Sequence, residues 1–281
     1  MSGTLYVVGT PIGNLDDFSP RAKETLNLVD FIAAEDTRVT IKLLNRFGIK
    51  KPLISYHEHS QSNRDMQIIK KILDGKSAAI VSDAGMPCIS DPGEKLVRLC
   101  KENSIEVKVI PGPTAAIAAL CISGLDSSRF TFCGFLSTNR KNKLDRISEL
   151  KNLKHTLIFY EAPHKLKSTL SDLLSELGNR KIAIVKELTK IHESVLTTTL
   201  LDAVNHFNQE GVSPKGEHVL VVEGASNNED ACPKQSFEET VQLAKELVLK
   251  GAKPTDAAKQ AAFLTNYKKS DIYKALILKD D

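Results

Sequence analysis

Ser82-Asp83-Ala84-Gly85-Met86-Pro87-Cys88-Ile89-Ser90-Asp91-Pro92-Gly93 is the stretch on which the reading of this chain turns. Ahead of it, Asp74-Gly75-Lys76 reads as a turn and Ser77 to Val81 as a short buried strand. Behind it, Glu94-Lys95-Leu96-Val97-Arg98-Leu99 carries apolar residues at helical spacing. The twelve residues are therefore a strand-to-helix connection, with two glycines, two prolines and only Met86 and Ile89 as large side chains. Glycine lets a backbone approach a ligand closely, and proline stiffens a loop. In open α/β sheets, ligands lie outside the carboxyl ends of the strands. A loop of this length and composition reads as a binding loop; the plainer alternative is a stiff connection with two helix-cap aspartates.

The same alternation repeats upstream. Thr4 to Val8 reads as a strand ending in Gly9-Thr10-Pro11-Ile12-Gly13-Asn14-Leu15. That turn is only loosely like a dinucleotide fingerprint, because G-x-x-x-G lacks the G-x-G-x-x-G spacing. Ser19-Pro20 opens a helix with Ser as N-cap and Pro in the first position. Phe31 to Ala34 is a second strand, followed by Glu35-Asp36-Thr37-Arg38, whose carboxylates suit either a ribose or a helix N-cap. The next helix carries Ile41, Leu44 and Phe47 and stops at Gly48. Leu53 to Tyr56 is a third strand, followed by His57-Glu58-His59. H-x-H puts two imidazoles on one side of an extended segment, but no third ligand accompanies them, so no metal is expected. Ser62 to Leu73 reads as a helix with Met66, Ile69 and Leu73 on its apolar side. Val107 to Ile110 is a strand that runs into Pro111-Gly112-Pro113-Thr114 and an alanine-rich helix, whose first amides favour an acceptor or an anion. Repeated β-α order predicts a mostly parallel sheet with helices on both faces.

The order changes at Ser123-Gly124-Leu125-Asp126. Strands are expected at Phe130–Phe135, Thr156–Tyr160, Ile182–Val185, Val195–Thr199 and Val219–Val222, close enough in sequence for a mixed second sheet. Ala225 to Gln235 reads as a linker, and three short helical patterns follow at 237–249, 255–264 and 270–278, compatible with a helix-turn-helix-like module. The expected organisation is an N-terminal α/β domain over 1–122, a second α/β domain over 123–225, a linker at 226–235 and a helical domain over 236–281.

Between Ser137 and Lys154 there are six Lys/Arg and two acidic residues, whereas the whole chain carries a net charge of only +3. Arg140, Lys141, Lys143 and Arg146 fall largely off the face made by Leu144, Ile147 and Leu150. Such a pattern is a solvated helix face or a local site for nucleic-acid phosphates. The helical tail, with eight Lys/Arg against seven Asp/Glu from Phe237 onward, shows no basic bias. Five cysteines without a C-x-x-C pair imply neither a disulfide framework nor a zinc site, and Cys88 reads as a small loop-filling residue rather than a nucleophile. No basic-then-apolar leader and no membrane-length apolar run is seen, so a cytoplasmic protein is expected.

Seven segments taken in order resemble one known family: Gly3 to Leu15, Glu35 to Arg38, Ser82 to Gly93, Pro111 to Ala115, Tyr160-Glu161-Ala162-Pro163-His164, Glu187-Leu188-Thr189-Lys190 and Lys215-Gly216-Glu217. They are similar to the tetrapyrrole (corrin/porphyrin) methylase superfamily, in its branch of small-subunit ribosomal RNA methyltransferases. The resemblance spans residues 3 to 225 and extends weakly over the last helices. It implies a two-domain fold with S-adenosylmethionine in the cleft between the domains. It also implies 2′-O-methylation of a cytidine ribose in the decoding centre of 16S rRNA, and a homodimer. Carried over by position, it places donor contacts at Pro11, Ser82, Asp83, Ala84, Gly85, Ile89, Thr114, Ala115, Tyr160 and Leu188. Met86 and Cys88 depart from the family's usual Thr and Leu, and His57-Glu58-His59-Ser60 from its His-Asn-rich version.

Methyl transfer to a hydroxyl benefits from a base or from a cation that stabilises the alkoxide. Asp36, His57, Glu187 and Lys190 are the candidates on loops near the inferred cleft, and Arg38, Arg140, Lys141, Lys143 and Arg146 those for RNA contact. A tetrapyrrole C-methyltransferase on the same fold, or a non-catalytic nucleotide- or RNA-binding protein, are the alternative readings. The helical tail, the basic segment and the Glu-Asp-Thr-Arg motif favour RNA.

Overall fold

The computed structural model describes residues 2–57, 61–209, 211–225, 236–249, 251–265 and 267–277. Glu58 and His59 of the H-x-H segment and the 226–235 linker lie outside them. The chain divides into two compact units, Met1–Ala225 and Ser226–Asp281.

The first unit begins with five short strands: β1 Thr4–Val8, β2 Phe31–Ala34, β3 Leu53–Ser55, β4 Ala78–Val81 and β5 Glu106–Ile110. They pair in parallel in the order β3-β2-β4-β1-β5. β2 and β4 are buried throughout, which is why they read as continuous apolar runs rather than alternating ones. Helices α1 Pro20–Leu28 and α2 Thr37–Arg46 cover one face through Ala22, Leu26 and Leu44. Helices α3 Gln61–Leu73 and α4 Glu94–Glu102 cover the other through Ile68, Ile69, Ile72, Leu96 and Cys100. On α3 the buried stripe thus centres on Ile68 and Ile72, while Met66 and Leu73 face outward. Parallel pairing brings the carboxyl ends of all five strands to one edge, and with them the loops after β1, β2, β4 and β5.

Helix α5, Ala115–Ser123, follows β5 but packs on the second sheet, burying Ala116, Ala119 and Leu120 against Ile158, Ala183, Val185, Val219 and Val221. The chain therefore passes between the layers at Pro111–Thr114, ahead of the position near 123 where the order of elements changes. The second sheet holds β6 Phe130–Phe135, β7 Thr156–Glu161, β8 Lys181–Lys186, β9 Ser194–Thr199 and β10 His218–Val222. Its order is β6-β7-β10-β8-β9, parallel only at β6/β7 and antiparallel elsewhere. Helices α6 Arg140–Glu149, α7 Leu166–Leu177 and α8 Leu200–Asn208 close its other face.

In the second unit, α9 Phe237–Leu249, α10 Pro254–Leu264 and α11 Lys269–Ile277 pack around Ala244, Ala258, Ala261 and Ile272. The small alanines let the helices approach closely, and the Phe237 and Tyr267 rings meet at 5.1 Å. Among the described residues no helix is long and apolar enough to cross a membrane.

Candidate active site

Three loops from the first sheet converge. The loop after β1 and the long loop after β4 are joined by a two-way backbone bridge: Thr10 donates to the Gly85 carbonyl at 2.9 Å, and Gly85 to the Thr10 carbonyl at 3.1 Å. The Thr10 hydroxyl adds a bond to the Ser82 carbonyl at 3.2 Å. The loop after β5 passes the first loop glycine against glycine, so that a Cβ on Gly9 would lie 2.6 Å from the Gly112 Cα. The long loop holds several residues in the left-handed region: Gly85 at φ +84°, Cys88 at +71° and Ser90 at +65°. For Cys88 and Ser90 this is a strained conformation, of the kind that gathers at ligand clamps.

The second sheet supplies the facing wall. Ser90 approaches Gly134 at the bulge in β6, where a Cβ would lie 3.3 Å from the Ser90 Oγ. Tyr160, at the end of β7, packs against the Phe132 and Phe135 rings at 5.0 and 5.4 Å. Its hydroxyl accepts a hydrogen bond from the Ala116 amide at 3.1 Å, in the first turn of α5. Thr114, the N-cap of that helix, makes no side-chain cap bond. The Glu187–Lys190 loop follows β8, with Glu187 and Thr189 at φ +51° and +63°. It docks on the first loop: the Asn14 amide donates to the Thr189 hydroxyl at 3.1 Å. Gly13 has no room for a side chain, since a Cβ would meet Lys190 Cγ at 2.6 Å. Leu188 packs with Ala115 and Tyr160 beside the α5 core. Of the ten donor-contact candidates, Pro11, Thr114, Ala115, Tyr160 and Leu188 are partly buried, Ser82 and Gly85 buried, and Asp83, Ala84 and Ile89 exposed.

Carboxylates line the neighbouring space. The Asp36 amide donates to Asp83 Oδ1 at 3.1 Å, and the Asp83 amide to Glu35 Oε2 at 3.3 Å. Asp36 caps α2 by accepting from the Arg38 amide at 2.8 Å, and its carboxylate grips the Arg38 guanidinium at 2.6 Å. Those bonds to Arg38 hold the Asp36 carboxyl down at about 2. Burial and the neighbouring carboxylates push Glu35 and Asp83 the other way. Asp91 is pushed up to about 6 by burial and then by Glu35, with a bond from Ser82 opposing. Asp91 also acts on Tyr160, whose phenol is raised chiefly by burial. Glu35, Asp36, Thr37, Arg38, Ser55, His57 and Asp83 line a cavity of about 470 Å³.

The four acid–base candidates are not equivalent. Asp36 is committed to Arg38, and His57 lines the carboxylate cavity. Glu187 accepts from the Glu217 amide at 2.9 Å and from Lys190 Nζ at 3.0 Å, which lowers its carboxyl, the amide bond first. Lys190 also reaches Glu217 at 2.8 Å; these bonds outweigh burial and keep its ammonium charged. Asp91 was missed in sequence because its environment comes from burial in the fold and then from Glu35, distant in the chain.

Of the basic-segment candidates, Lys143 requires correction. Its side chain turns inward, with Nζ 2.8 Å from Asp172 and 2.8 Å from the Thr169 hydroxyl, which in turn donates to Glu161 at 2.5 Å. The amphipathic pattern of α6 could not reveal that α7 places a carboxylate over it. Arg140 and Lys141 remain at the surface, and Arg146 pairs with Glu149 at 2.8 Å. Arg38 is the most outward of the cleft cations. Burial raises the Cys88 thiol to about 11, which makes it a filler and not a nucleophile. Among the described residues no group of three or more His, Cys, Asp or Glu gathers as a metal site.

Residues 4–204 match the model of the Tetrapyrrole (Corrin/Porphyrin) Methylases. The chain is 46% identical to the Ribosomal RNA small subunit methyltransferase I of Synechocystis sp. over 97% of this chain and 96% of the relative. It is 47% identical to the protein of the same name from Halalkalibacterium halodurans over 96% and 93%. Among solved structures, the methyltransferase CobJ superposes with a TM-score of 0.60 at 20% identity, over 81% of this chain and 97% of that one.

Proposed function

The chain belongs to the tetrapyrrole (corrin/porphyrin) methylases, and we propose that it is a methyltransferase that uses S-adenosylmethionine to methylate the ribose 2′-hydroxyl of a cytidine in 16S rRNA, at the decoding centre of the small ribosomal subunit. Its relatives named for ribosomal RNA support the substrate class. The observation that carries the reading is the convergence of the loops after β1, β4 and β5 on Tyr160 and Leu188.

The residues present fit the donor. A zwitterionic, nucleoside-bearing ligand needs backbone donors and acceptors, a rigid wall and an apolar side. Gly85 and Ala84 bring backbone close, and the first turn of α5 offers amides. Ile89, Ala115 and Leu188 supply apolar contact, and Pro11, Ser82, Asp83, Thr114 and Tyr160 complete the wall. When bound, the donor supplies an electrophilic methyl group on a sulfonium sulfur. The chain's own task is to orient a weak nucleophile in line with it and to manage one proton. Asp36 and Glu187 hold their protons too weakly to serve as good bases near neutrality, whereas Asp91 exchanges one near pH 6. Lys190, fixed by two carboxylates, provides a positive charge on the loop that closes against Asn14.

We infer a homodimer and a cytoplasmic setting as part of the same reading. Helix α5 is apolar on all sides, and its Ile117 and Ile122 stay exposed at 43% and 44%, which suits a second copy. The test is methyl-labelled S-adenosylmethionine incubated with small subunits from a strain that lacks the modification. Label recovered as 2′-O-methylcytidine supports the reading; absence of label from RNA overturns it.

A further inference from the structure

A second cavity of about 430 Å³ lies beside the carboxylate cavity and shares Thr37 and Arg38 with it; its other lining residues are Ile41, Lys51 and Leu53. Both fall within the size range of small-ligand sites, ~300–1,000 Å³. They adjoin at Thr37 and Arg38, so the two open hollows lie in series as a groove from Asp83, on the long loop, over Arg38 to Lys51, beside the edge strand β3.

The two ends differ in chemistry. The inner end carries three carboxylates, Glu35, Asp36 and Asp83, against one guanidinium. It repels a phosphate and attracts hydroxyl and amine donors, such as those of a nucleoside. The outer end reverses the balance: its lining holds Lys51, the outward side of the Arg38 guanidinium that Asp36 pairs from within, and no carboxylate. It also has an apolar floor. Ile41 lies on the helix face that a simple amphipathic pattern would bury, yet it is 48% exposed and lines the cavity together with Leu53.

We propose that this groove seats two consecutive nucleotides of single-stranded RNA: the target nucleoside at the carboxylate end, and the adjoining nucleotide with its phosphate on Lys51 and Arg38 and its base on Ile41 and Leu53. This rests on the ribose-methylation reading. Like charge keeps phosphates out of the inner end, so the strand enters in one register, with its backbone displaced toward Lys51. The neighbouring base must leave its stack to reach Ile41, which restricts the substrate to an unpaired segment.

The test compares full-length K51E and I41D with K42E, a control that makes the same charge change as K51E, and a larger one than I41D, at an exposed position of α2 outside the groove. K51E and I41D are each expected to raise KM for small subunits at least tenfold, with kcat and the affinity for S-adenosylhomocysteine near wild type. In binding of an unpaired oligonucleotide of the target sequence, K51A is expected to lower the slope of log affinity against log salt by about 0.7, one phosphate contact on a single strand. K51E and I41D indistinguishable from K42E, in an enzyme that methylates rRNA, would overturn the groove alone. A wild-type enzyme that binds the donor but leaves rRNA unlabelled would overturn the methylation reading and the groove with it.

Discussion

Gly112→Ala isolates the glycine-on-glycine crossing beneath the proposed donor cleft. A Cβ there would lie 2.8 Å from the Gly9 Cα and 2.9 Å from its carbonyl carbon, and neither is the end of a side chain that can swing away. Ordinary contact begins near 3.4 Å, so the loops after β1 and β5 must separate by roughly 0.6 Å. Overpacking of this kind costs about 1–3 kcal/mol. At about 2–4 °C per kcal/mol for a unit of this size, the melting temperature falls by about 2–12 °C. Separation also moves Thr10, and with it Gly85, which are bridged in both directions. Misplacement approaching 1 Å costs up to about a hundredfold in rate, so kcat/KM falls ~10–100-fold, and donor affinity weakens about tenfold or more. Calorimetric titration with S-adenosylhomocysteine and thermal melting measure both. Gly124→Ala is the control: it strains a left-handed C-cap at φ +72° with nothing within 4 Å, and should lower stability without touching donor affinity. Wild-type donor affinity in Gly112→Ala, at the expected loss of stability, would refute the idea that the loop crossing shapes the donor site.

Lys143→Ala removes a buried ammonium from the half-buried Asp172 and the buried Thr169 and should cost about 1.5–3 kcal/mol in urea unfolding. Arg146→Ala, at an exposed i,i+3 pair, should stay within ~0.5 kcal/mol; equal effects would refute the inward placement of Lys143. Asp91 has a raised folded pKa, so its contribution to stability is present below the unfolded value and lost as pH rises through about 6. Asp91→Asn should therefore be more stable than wild type at pH 7 by about 1 kcal/mol, after discounting for partial exposure, and lose that advantage near pH 4. An advantage equal at both pH values would contradict this. In methylation assays the same variant should lose whatever rise wild type shows through pH 6, while Asp36→Asn should leave that rise in place, because Asp36 stays ionised down to about 2.

Strands were the most legible elements. β1, β2 and β6 stand where their apolar runs placed them, because strands leave continuous or alternating hydrophobic signatures. Parallel order in the first half followed from a helix after each strand; in the second half three of the four connections also carry a helix, α6, α7 and α8, so the mixed pairing was legible mainly from the direct β8–β9 step. The long Ser82–Gly93 loop could be recognised from its glycines and prolines, which respond to local backbone demands. What depends on distant partners was hidden. The buried stripe of α3 runs through Ile68 and Ile72 rather than Met66 and Leu73, since the sheet and α4 decide which side is covered. Lys143 looked like a surface charge until α7 placed Asp172 beside it. Glu187 and Lys190, both plausible as acid–base groups from position alone, are bound to one another. Asp91 carried no local mark beyond its place in the long loop; burial in the folded chain and then the approach of Glu35 set it apart.

A crystal structure of the full chain with S-adenosylhomocysteine tests the central claim most directly. The ligand should lie against the backbone of Ala84, Gly85 and Ala115, with Tyr160 and Leu188 closing over it and its sulfur directed toward the cavity of Glu35, Asp36 and Asp83. A ligand bound elsewhere on the chain, or one in this cleft with its sulfur turned away from that cavity, would contradict the account.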